Sequence, residues 1–174
     1  MQARHFLKLS FFILITLFAN ASFASNESSP APGRGIIPLV SDHYKTQASF
    51  YDFDSMPAEK ITDGVTRRFI MGTESSVVRW ELKAGTVLPI HFHINEQITR
   101  VEKGAMEVYS QGMKYVVKPG QIMIFPPNVP HEFVALVDTV IYEQHTPARQ
   151  DFLSPEFVSK MAANVKTIDV TNKK

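Results

Sequence analysis

Residues 85–104 read GTVLPIHFHINEQITRVEKG, which places two histidines and a glutamine between two glycines. Residues two apart in a β-strand point to the same face, so a strand here would direct His91 and His93 toward one point. Gln97 follows four residues later, and a bend near Asn95 would return its side-chain oxygen to that face. The pattern predicts two imidazole ligands and one amide ligand for a metal ion.

A third imidazole comes from further along the chain, since His131 opens a later predicted strand. Three nitrogens and one oxygen suit transition metals better than Mg²⁺ or Ca²⁺. With four protein ligands, a six-coordinate ion would keep two open positions, as ions in catalytic or ligand-binding sites do. We therefore expect one divalent transition metal (Fe, Mn, Ni or Zn) bound by His91, His93, Gln97 and His131, with Glu96 as the alternative to Gln97.

The chain around these residues is a series of short β-type runs separated by turn residues, which is typical of an all-β sandwich or barrel. The predicted strands cover residues 65–71, 76–83, 97–102, 105–111, 114–117, 121–125, 131–137 and 139–144, with a further short strand at 50–53. The one predicted helix covers residues 155–165 and opens after Ser154 as a possible N-cap. Strand 50–53 would add to the sheet edge of a second copy and make a homodimer.

The N-terminus indicates an exported protein. Residues 1–24 combine a basic start, a short apolar run and small residues at the exit, as a secretory signal peptide does. We expect cleavage after Ala24, or alternatively after Ala21, and a periplasmic or secreted product with no stable membrane insertion. An uncleaved membrane anchor is the alternative, but the apolar run is shorter than the ~20 residues that span a bilayer.

Residues 25–40 are predicted to be a flexible linker and 41–174 one domain, with a barrel core at about 62–152. The chain has no cysteine, so its stability must come from a packed core and a metal rather than from disulfides. It carries 18 basic and 17 acidic residues, and losing a leader with two basic residues and no acid leaves a formal charge of −1. Such a balance does not indicate nucleic acid or an anionic membrane as a partner.

Two groups of residues resemble the paired motifs of the cupin superfamily. Gly85, the His91-Phe92-His93 triplet, Gln97 and Gly104 stand at the spacings of the first motif, with Gln in place of the usual Glu. The second motif is matched by Gly120, Pro126 and His131, with Asn128 in place of a glycine and Ala135 in place of an asparagine. The resemblance implies a single cupin double-stranded β-helix barrel of jelly-roll type, followed by a short C-terminal helix. A neutral Gln97 would leave the metal its full charge and favour an anionic substrate.

The closest resemblance is to the pectin-degradation cupins, which open the ring of unsaturated monouronates. It rests on residues 91–97 and 125–131 and on the tail at 146–152. An Asp, a Phe and an Arg line the site in that group, and their positions here hold Glu143, His145 and Arg149. The resemblance implies that these three are catalytic, with Arg149 binding a substrate carboxylate and Glu143 or His145 moving a proton.

The predicted function is that of a metal-dependent cupin that isomerises or opens a small anionic, sugar-acid-derived substrate. Two alternatives stay open at this point: an iron-dependent dioxygenase, and a non-catalytic module that binds or senses a small ligand. The structural alternative for the tail is a surface ion pair between Glu143 and Arg149, with His145 packed at the barrel rim.

Overall fold

The regular structure of this protein is almost entirely β-strand in the computed structural model, which describes residues 49–172. The strands in that range, in chain order, are β1 (Glu59–Thr62), β2 (Val65–Met71), β3 (Ser76–Leu82), β4 (Thr86–His91), β5 (Glu96–Lys103), β6 (Met106–Ser110), β7 (Met113–Val117), β8 (Ile122–Phe125), β9 (His131–Ala135), β10 (Thr139–Thr146) and β11 (Lys166–Thr167).

These strands form two antiparallel sheets. One has the order β1-β2-β3-β10-β5-β8 and the other the order β11-β4-β9-β6-β7. Burial alternates strictly along β2 and β3, as expected of strands with one face on a core. Val78, Val108, Phe133 and Ile141 belong to one buried hydrophobic cluster, to which both sheets contribute. The predicted fold, a jelly-roll barrel, is confirmed.

The register of two strand pairs determines which side chains face each other inside the barrel. In the five-stranded sheet, β4 and β9 pair His91 with His131. In the six-stranded sheet, β5 and β10 pair Gln97 with His145. Because Gln97 is buried while Glu96 is exposed, it is Gln97 that points inward.

Two motif positions in turns, Gly104 and Asn128, have positive φ angles. Gly104, between β5 and β6, has a φ of 85°, and a Cβ there would lie 2.5 Å from the carbonyl oxygen of Asp138. Asn128 has a φ of 62° in the turn before β9, a backbone region that asparagine tolerates better than most residues. Glycine and asparagine therefore meet a local backbone requirement at these motif positions.

The predicted helix is present as α1 (Pro155–Asn164). Ser154 is its N-cap and accepts a hydrogen bond from the backbone N–H of Glu156, and Pro155 occupies the first turn. Phe157 and Met161 pack against the barrel core. None of the helices within residues 49–172 has the length and apolar character that a membrane crossing requires.

The strand predicted at residues 50–53 is wrong, because residues 50–52 belong to no strand and the chain turns at 53–55. Phe50 is exposed, and Phe53 instead contacts the ring of Tyr142 edge-on at 5.5 Å between centroids. The homodimer prediction loses the edge strand on which it rested and stays a prediction. The predicted leader at 1–24, the linker at 25–40 and the start of the predicted domain at 41–48 lie outside the described residues.

Candidate metal centre and substrate cavity

Three imidazoles converge between the sheets. Each of His91, His93 and His131 offers one ring nitrogen as a potential ligand atom, and these three nitrogens lie within 4.8 Å of one another. His91 ends β4 and His131 begins β9, while His93 lies just beyond β4, before a bend at residues 94–95. The sequence thus correctly anticipated a bend near Asn95, which is what brings β5 back to the same interior.

All three histidines present the same ring nitrogen to the centre. The Nδ1–H groups of His91 and His131 donate to the carbonyls of Pro89 and Val129 at 2.9 Å, and that of His93 donates to the carbonyl of Asn95 at 3.0 Å. A carbonyl oxygen only accepts, so the hydrogen sits on Nδ1 and each Nε2 keeps a lone pair. Metal-binding histidines usually donate their other ring N–H in this way.

The centre fits a cation because its acceptors face one another. The Nε2 of His131 is buried and has no hydrogen-bond partner among the described residues. The side-chain oxygen of Gln97 lies 3.0 Å from the Nε2 of His93, although neither atom has a hydrogen to offer the other. A metal ion among these atoms would remove their mutual repulsion, and the three histidines can therefore form a metal site.

Burial keeps these imidazoles neutral. It lowers the pKa of His131 to about 3, with His91 contributing, and the pKa of His93 to about 4, with the positive charge of Arg149 contributing. Burial also lowers the pKa of His91. Only a neutral imidazole has the lone pair that a metal needs, so the ligand form persists well into acid.

Gln97 is held in one amide orientation. Its NH₂ group donates to the hydroxyl of Thr99 at 2.8 Å and to the carboxylate of Glu143 at 2.9 Å, and this uses both hydrogens. The side-chain oxygen must then face His93 and His145. The amide therefore offers an oxygen rather than an NH₂ group to the histidine cluster.

Glu143 is a buried carboxylate that lines the cavity. One oxygen accepts from Gln97 and the other accepts from the indole N–H of Trp80 at 2.8 Å. Burial raises the pKa of Glu143 to about 7, against the opposing effects of the Trp80 hydrogen bond and the charge of Arg149. A carboxyl group with that pKa can both give and take a proton near neutral pH.

His145 lies behind Gln97 rather than on the cavity wall. Its Nε2 is 3.1 Å from the Gln97 oxygen, and its ring meets that of Phe152 edge-on at 5.4 Å. The side chain is fully buried, and it is not among the residues that line the cavity. Burial lowers its pKa to about 2, with Arg149 contributing. His145 thus contacts Gln97, a predicted ligand, and does not line the cavity.

Arg149 reaches the cavity with one side of its guanidinium in use. Its Nε and Nη2 donate to the two carboxylate oxygens of Asp151 at 2.8 and 2.6 Å. Within residues 49–172 its Nη1 has no hydrogen-bond partner. Arg149 and Glu143 do not pair directly, so the surface ion pair considered from the sequence does not form. Asp151 thus fixes the Nε and Nη2 side of the guanidinium (its side-on face), and the edge formed by Nη1 and Nη2 (its end-on face) remains available.

A cavity of about 620 Å³ joins these groups, within the range that holds small-molecule ligands. The barrel supplies its inner wall, including His91, Gln97 and Glu143, and Arg149 follows β10. Helix α1 supplies another wall, which includes the exposed Lys160 and its ion-pair partner Glu156. Charged side chains and apolar side chains therefore line the same cavity.

Three residues of this network were missed from the sequence. Thr99 follows Gln97 by two positions, and period-two spacing alone would have placed it on the same face. Asp151 follows Arg149 by two positions in a polar run, a weak local signal of pairing. Trp80 contacts Glu143 from 63 residues away in the chain, so no local pattern indicates the contact.

Comparison with known proteins agrees with the observed fold. The cupin domain family matches residues 78–141. The pectin degradation protein KdgF of Dickeya dadantii (strain 3937) is 31% identical over 103 residues, which are 58% of this chain and 94% of that protein. The structure of KdgF from a Halomonas species superposes with a TM-score of 0.58 at 29% identity, over 60% of this chain and 100% of that one.

A second solved structure is also similar. An RmlC-like cupin from Shewanella frigidimarina NCIMB 400 superposes with a TM-score of 0.58 at 25% identity, over 62% of this chain and 97% of that one. These relatives are matched along nearly their whole length by about three fifths of this chain. Part of this chain therefore has no counterpart in them.

Proposed function

We propose that this chain, which belongs to the cupin family and is similar to its pectin-degradation members, is a metal-dependent enzyme that acts on a small anionic substrate derived from a sugar acid. The observation that carries the proposal is the position of Glu143. Its carboxylate lines the cavity and is hydrogen-bonded to Gln97, whose oxygen faces the histidine cluster. A proton carrier and two of the proposed ligands, His91 and Gln97, therefore adjoin the same space.

The residues that would hold the ion are His91, His93, His131 and Gln97. The ligand atoms would be three Nε2 atoms without hydrogens and one amide oxygen. None of them is charged, so a bound ion would keep its full charge. When bound, a divalent ion supplies Lewis-acid polarisation of a substrate oxygen. The neutral Gln97 supports preference for an anionic substrate.

Arg149 would bind the substrate carboxylate. Asp151 takes the Nε and Nη2 side of the guanidinium, which leaves Nη1 and the second hydrogen of Nη2 for an end-on pair. Asp151 also keeps the guanidinium plane from rotating. The carboxylate would be fixed in position relative to Glu143 before any proton moves.

Glu143 would then move the proton. Its hydrogen bonds from Trp80 and Gln97 hold the carboxyl group in one orientation at the cavity wall. An isomerisation or ring opening of an unsaturated uronate requires a proton to leave one atom and another to arrive nearby. A carboxyl group whose pKa lies near neutrality serves both steps.

The test is an assay of purified protein, with its metal content determined by elemental analysis. We expect loss of the 4,5-unsaturated uronate absorbance with wild-type protein and a large loss of rate with Glu143→Gln. Glu132→Gln, a change on the partly exposed side of β9, is the matched control and should leave the rate unchanged. Metal-loaded protein that turns over no unsaturated monouronate would contradict the sugar-acid assignment.

Two other outcomes would redirect the proposal. Oxygen consumption in proportion to iron content would identify a dioxygenase. Stabilisation by a uronate without any product would identify a binding or sensing module. The same elemental analysis on His91→Ala and His131→Ala tests the ligand set, since either variant retaining a stoichiometric metal would contradict it.

We also propose that the protein works outside the cytoplasm, supported by the basic, apolar and small-residue order of residues 1–24. Cell fractionation and the N-terminal sequence of the purified protein test this. Recovery of a chain that still begins at Met1 in the cytoplasmic fraction would contradict it.

A further inference from the structure

We infer that His145 is a positioning residue, which fixes the side-chain oxygen of Gln97 so that one of its lone pairs faces the metal position. This inference rests on the proposed ligand set and adds a role that acts through Gln97. The resembling cupins hold a phenylalanine at this position, and a phenylalanine has no N–H to donate. The role is therefore particular to this chain rather than implied by the resemblance.

The first step is the fixed amide of Gln97. With both NH₂ hydrogens donated to Thr99 and Glu143, the oxygen is left facing two imidazole nitrogens. One is the Nε2 of His93 at 3.0 Å, and the other is the Nε2 of His145 at 3.1 Å. An amide oxygen has two lone pairs, so each nitrogen faces one of them.

The second step is that the two nitrogens differ in what they offer. His93 donates its Nδ1–H to the carbonyl of Asn95, so its Nε2 has no hydrogen and cannot donate to Gln97. His145 has no such partner at Nδ1, which is buried and unpaired among the described residues. The Gln97 oxygen, at 3.1 Å, is within hydrogen-bond distance of the His145 Nε2, whereas the nearer Glu143 carboxylate oxygen is 3.7 Å away. A hydrogen on Nε2 is therefore donated to Gln97.

The third step is the position of His145 relative to the three clustered histidines and the cavity. The potential ligand atoms that lie within 4.8 Å of one another in the described chain belong to His91, His93 and His131, and His145 is outside this group. It is also fully buried and absent from the cavity wall. His145 therefore lies outside the proposed ligand set and off the cavity wall. In the described chain the polar atom within hydrogen-bond distance of its ring is the Gln97 oxygen, and the Glu143 carboxylate is next at 3.7 Å.

The consequence concerns the metal. One lone pair of Gln97 is occupied by the hydrogen from His145, and the other is directed to where the Nε2 of His93 points. Removing the donor leaves that lone pair without a partner and lets the oxygen shift, because Thr99 and Glu143 hold the amide only through its NH₂ group. Loss of such supporting hydrogen bonds typically lowers metal affinity by about 10- to 100-fold.

The experiment is a double-mutant cycle on the full-length chain, using Co²⁺ binding and the Co²⁺ visible absorption spectrum as readouts. We expect His145→Phe to raise the dissociation constant for Co²⁺ by about tenfold or more and to alter the spectrum. His145→Gln, whose Nε2 can donate from nearly the same place, should remain close to wild type. In a Gln97→Leu background, His145→Phe should have no further effect, because the path through Gln97 is gone.

Several outcomes would overturn the inference. Wild-type affinity and spectrum in a folded His145→Phe chain would do so, as would an equal loss of affinity in the wild-type and Gln97→Leu backgrounds. If His145→Phe does not fold by circular dichroism, the smaller His145→Leu takes its place in the same cycle. A Gln97→Leu chain that binds Co²⁺ as the wild type does would instead overturn the proposed ligand set, and this separates the two failures.

Discussion

At the scale of single residues, the site depends on what each buried polar atom is bonded to. The side chains of Glu143, Gln97 and Thr99 form one hydrogen-bonded group whose members are nearly or fully buried. Trp80 completes it by donating to the second oxygen of Glu143. Buried polar groups left without partners are costly, so this group tolerates few substitutions.

The raised pKa of Glu143 predicts a pH dependence of stability in the metal-free protein. In the folded state the carboxyl holds its proton up to a pKa of about 7, whereas in the unfolded chain it ionises near 4.5. Between those values the unfolded chain has lost the proton and the folded protein has kept it, so Glu143 destabilises the fold as the pH rises. A shift of that size corresponds to a change in the free energy of unfolding on the order of 3 kcal/mol.

Glu143→Gln should abolish that contribution. Urea unfolding at several pH values from 4.5 to 7 measures it as the difference between wild type and variant, because the buried histidines affect both chains alike. Their lowered pKa values act in the opposite sense, destabilising the fold as the pH falls below 6.5. A wild-type-minus-variant difference that stays constant over the window would contradict the prediction.

The free Nη1 and Nη2 edge of Arg149 predicts that its replacement raises KM for an anionic substrate. Arg149→Lys keeps a positive charge but cannot form a two-pronged pair with a carboxylate, nor maintain the paired contact with Asp151. A charge-assisted hydrogen bond contributes about 1.5–3 kcal/mol, so we expect KM for an anionic substrate to rise by about tenfold or more. Steady-state kinetics measure it. Arg100→Lys, on the exposed face of β5, is the control, and an equal rise there would contradict the assignment.

The histidine cluster could be predicted from the sequence because its determinants are local. The two-residue spacing of His91 and His93 and the position of His131 at a strand start are visible without any structure. The partners of Glu143 and Arg149 could not be predicted in the same way. Trp80 reaches Glu143 only because β3 and β10 pair. The paired hydrogen bonds from the Arg149 guanidinium to Asp151 depend on the turn that follows β10.

At the scale of elements, the strands that could be predicted are those with clean alternation between turn residues. β2 was predicted with its observed bounds, and α1 with its observed N-cap. β4 was not among the predicted strands, and its Pro89 is a residue that disfavours the interior of a paired strand. The structure accommodates Pro89 at a register shift between Leu88 and His91, an irregularity that no sequence pattern specifies.

The turn between β5 and β6 predicts a stability effect with a matched control. Gly104→Ala must hold an alanine at a φ of 85° and also place its Cβ 2.5 Å from the Asp138 oxygen. Gly112→Ala meets a similar φ of 76° but no atom within 4 Å. We expect about 1–3 kcal/mol of destabilisation for Gly112→Ala from the backbone alone and a clearly larger loss for Gly104→Ala. Chemical unfolding measures both, and equal losses would show that the contact with Asp138 relaxes freely.

At the scale of the whole described domain, the predicted ligands connect the two sheets. His91 and His131 belong to the five-stranded sheet, whereas Gln97 belongs to the six-stranded one, and His93 lies in the segment that crosses between them. The chain has no cysteine, so no disulfide reinforces that junction. A bound ion would therefore link the sheets at the point where the repulsion among bare acceptors is otherwise greatest.

This arrangement predicts that metal binding stabilises the whole domain. A ligand at 100 times its Kd stabilises the fold by about 2.7 kcal/mol, which for a domain of this size raises the Tm by on the order of 10 °C. Thermal unfolding of metal-free and metal-loaded protein measures the rise, compared within each variant. Glu96→Gln should show the wild-type rise, since Glu96 is exposed, whereas His131→Ala should show almost none. If His131→Ala gains as much as the wild type, the stabilising ion binds somewhere other than between the sheets.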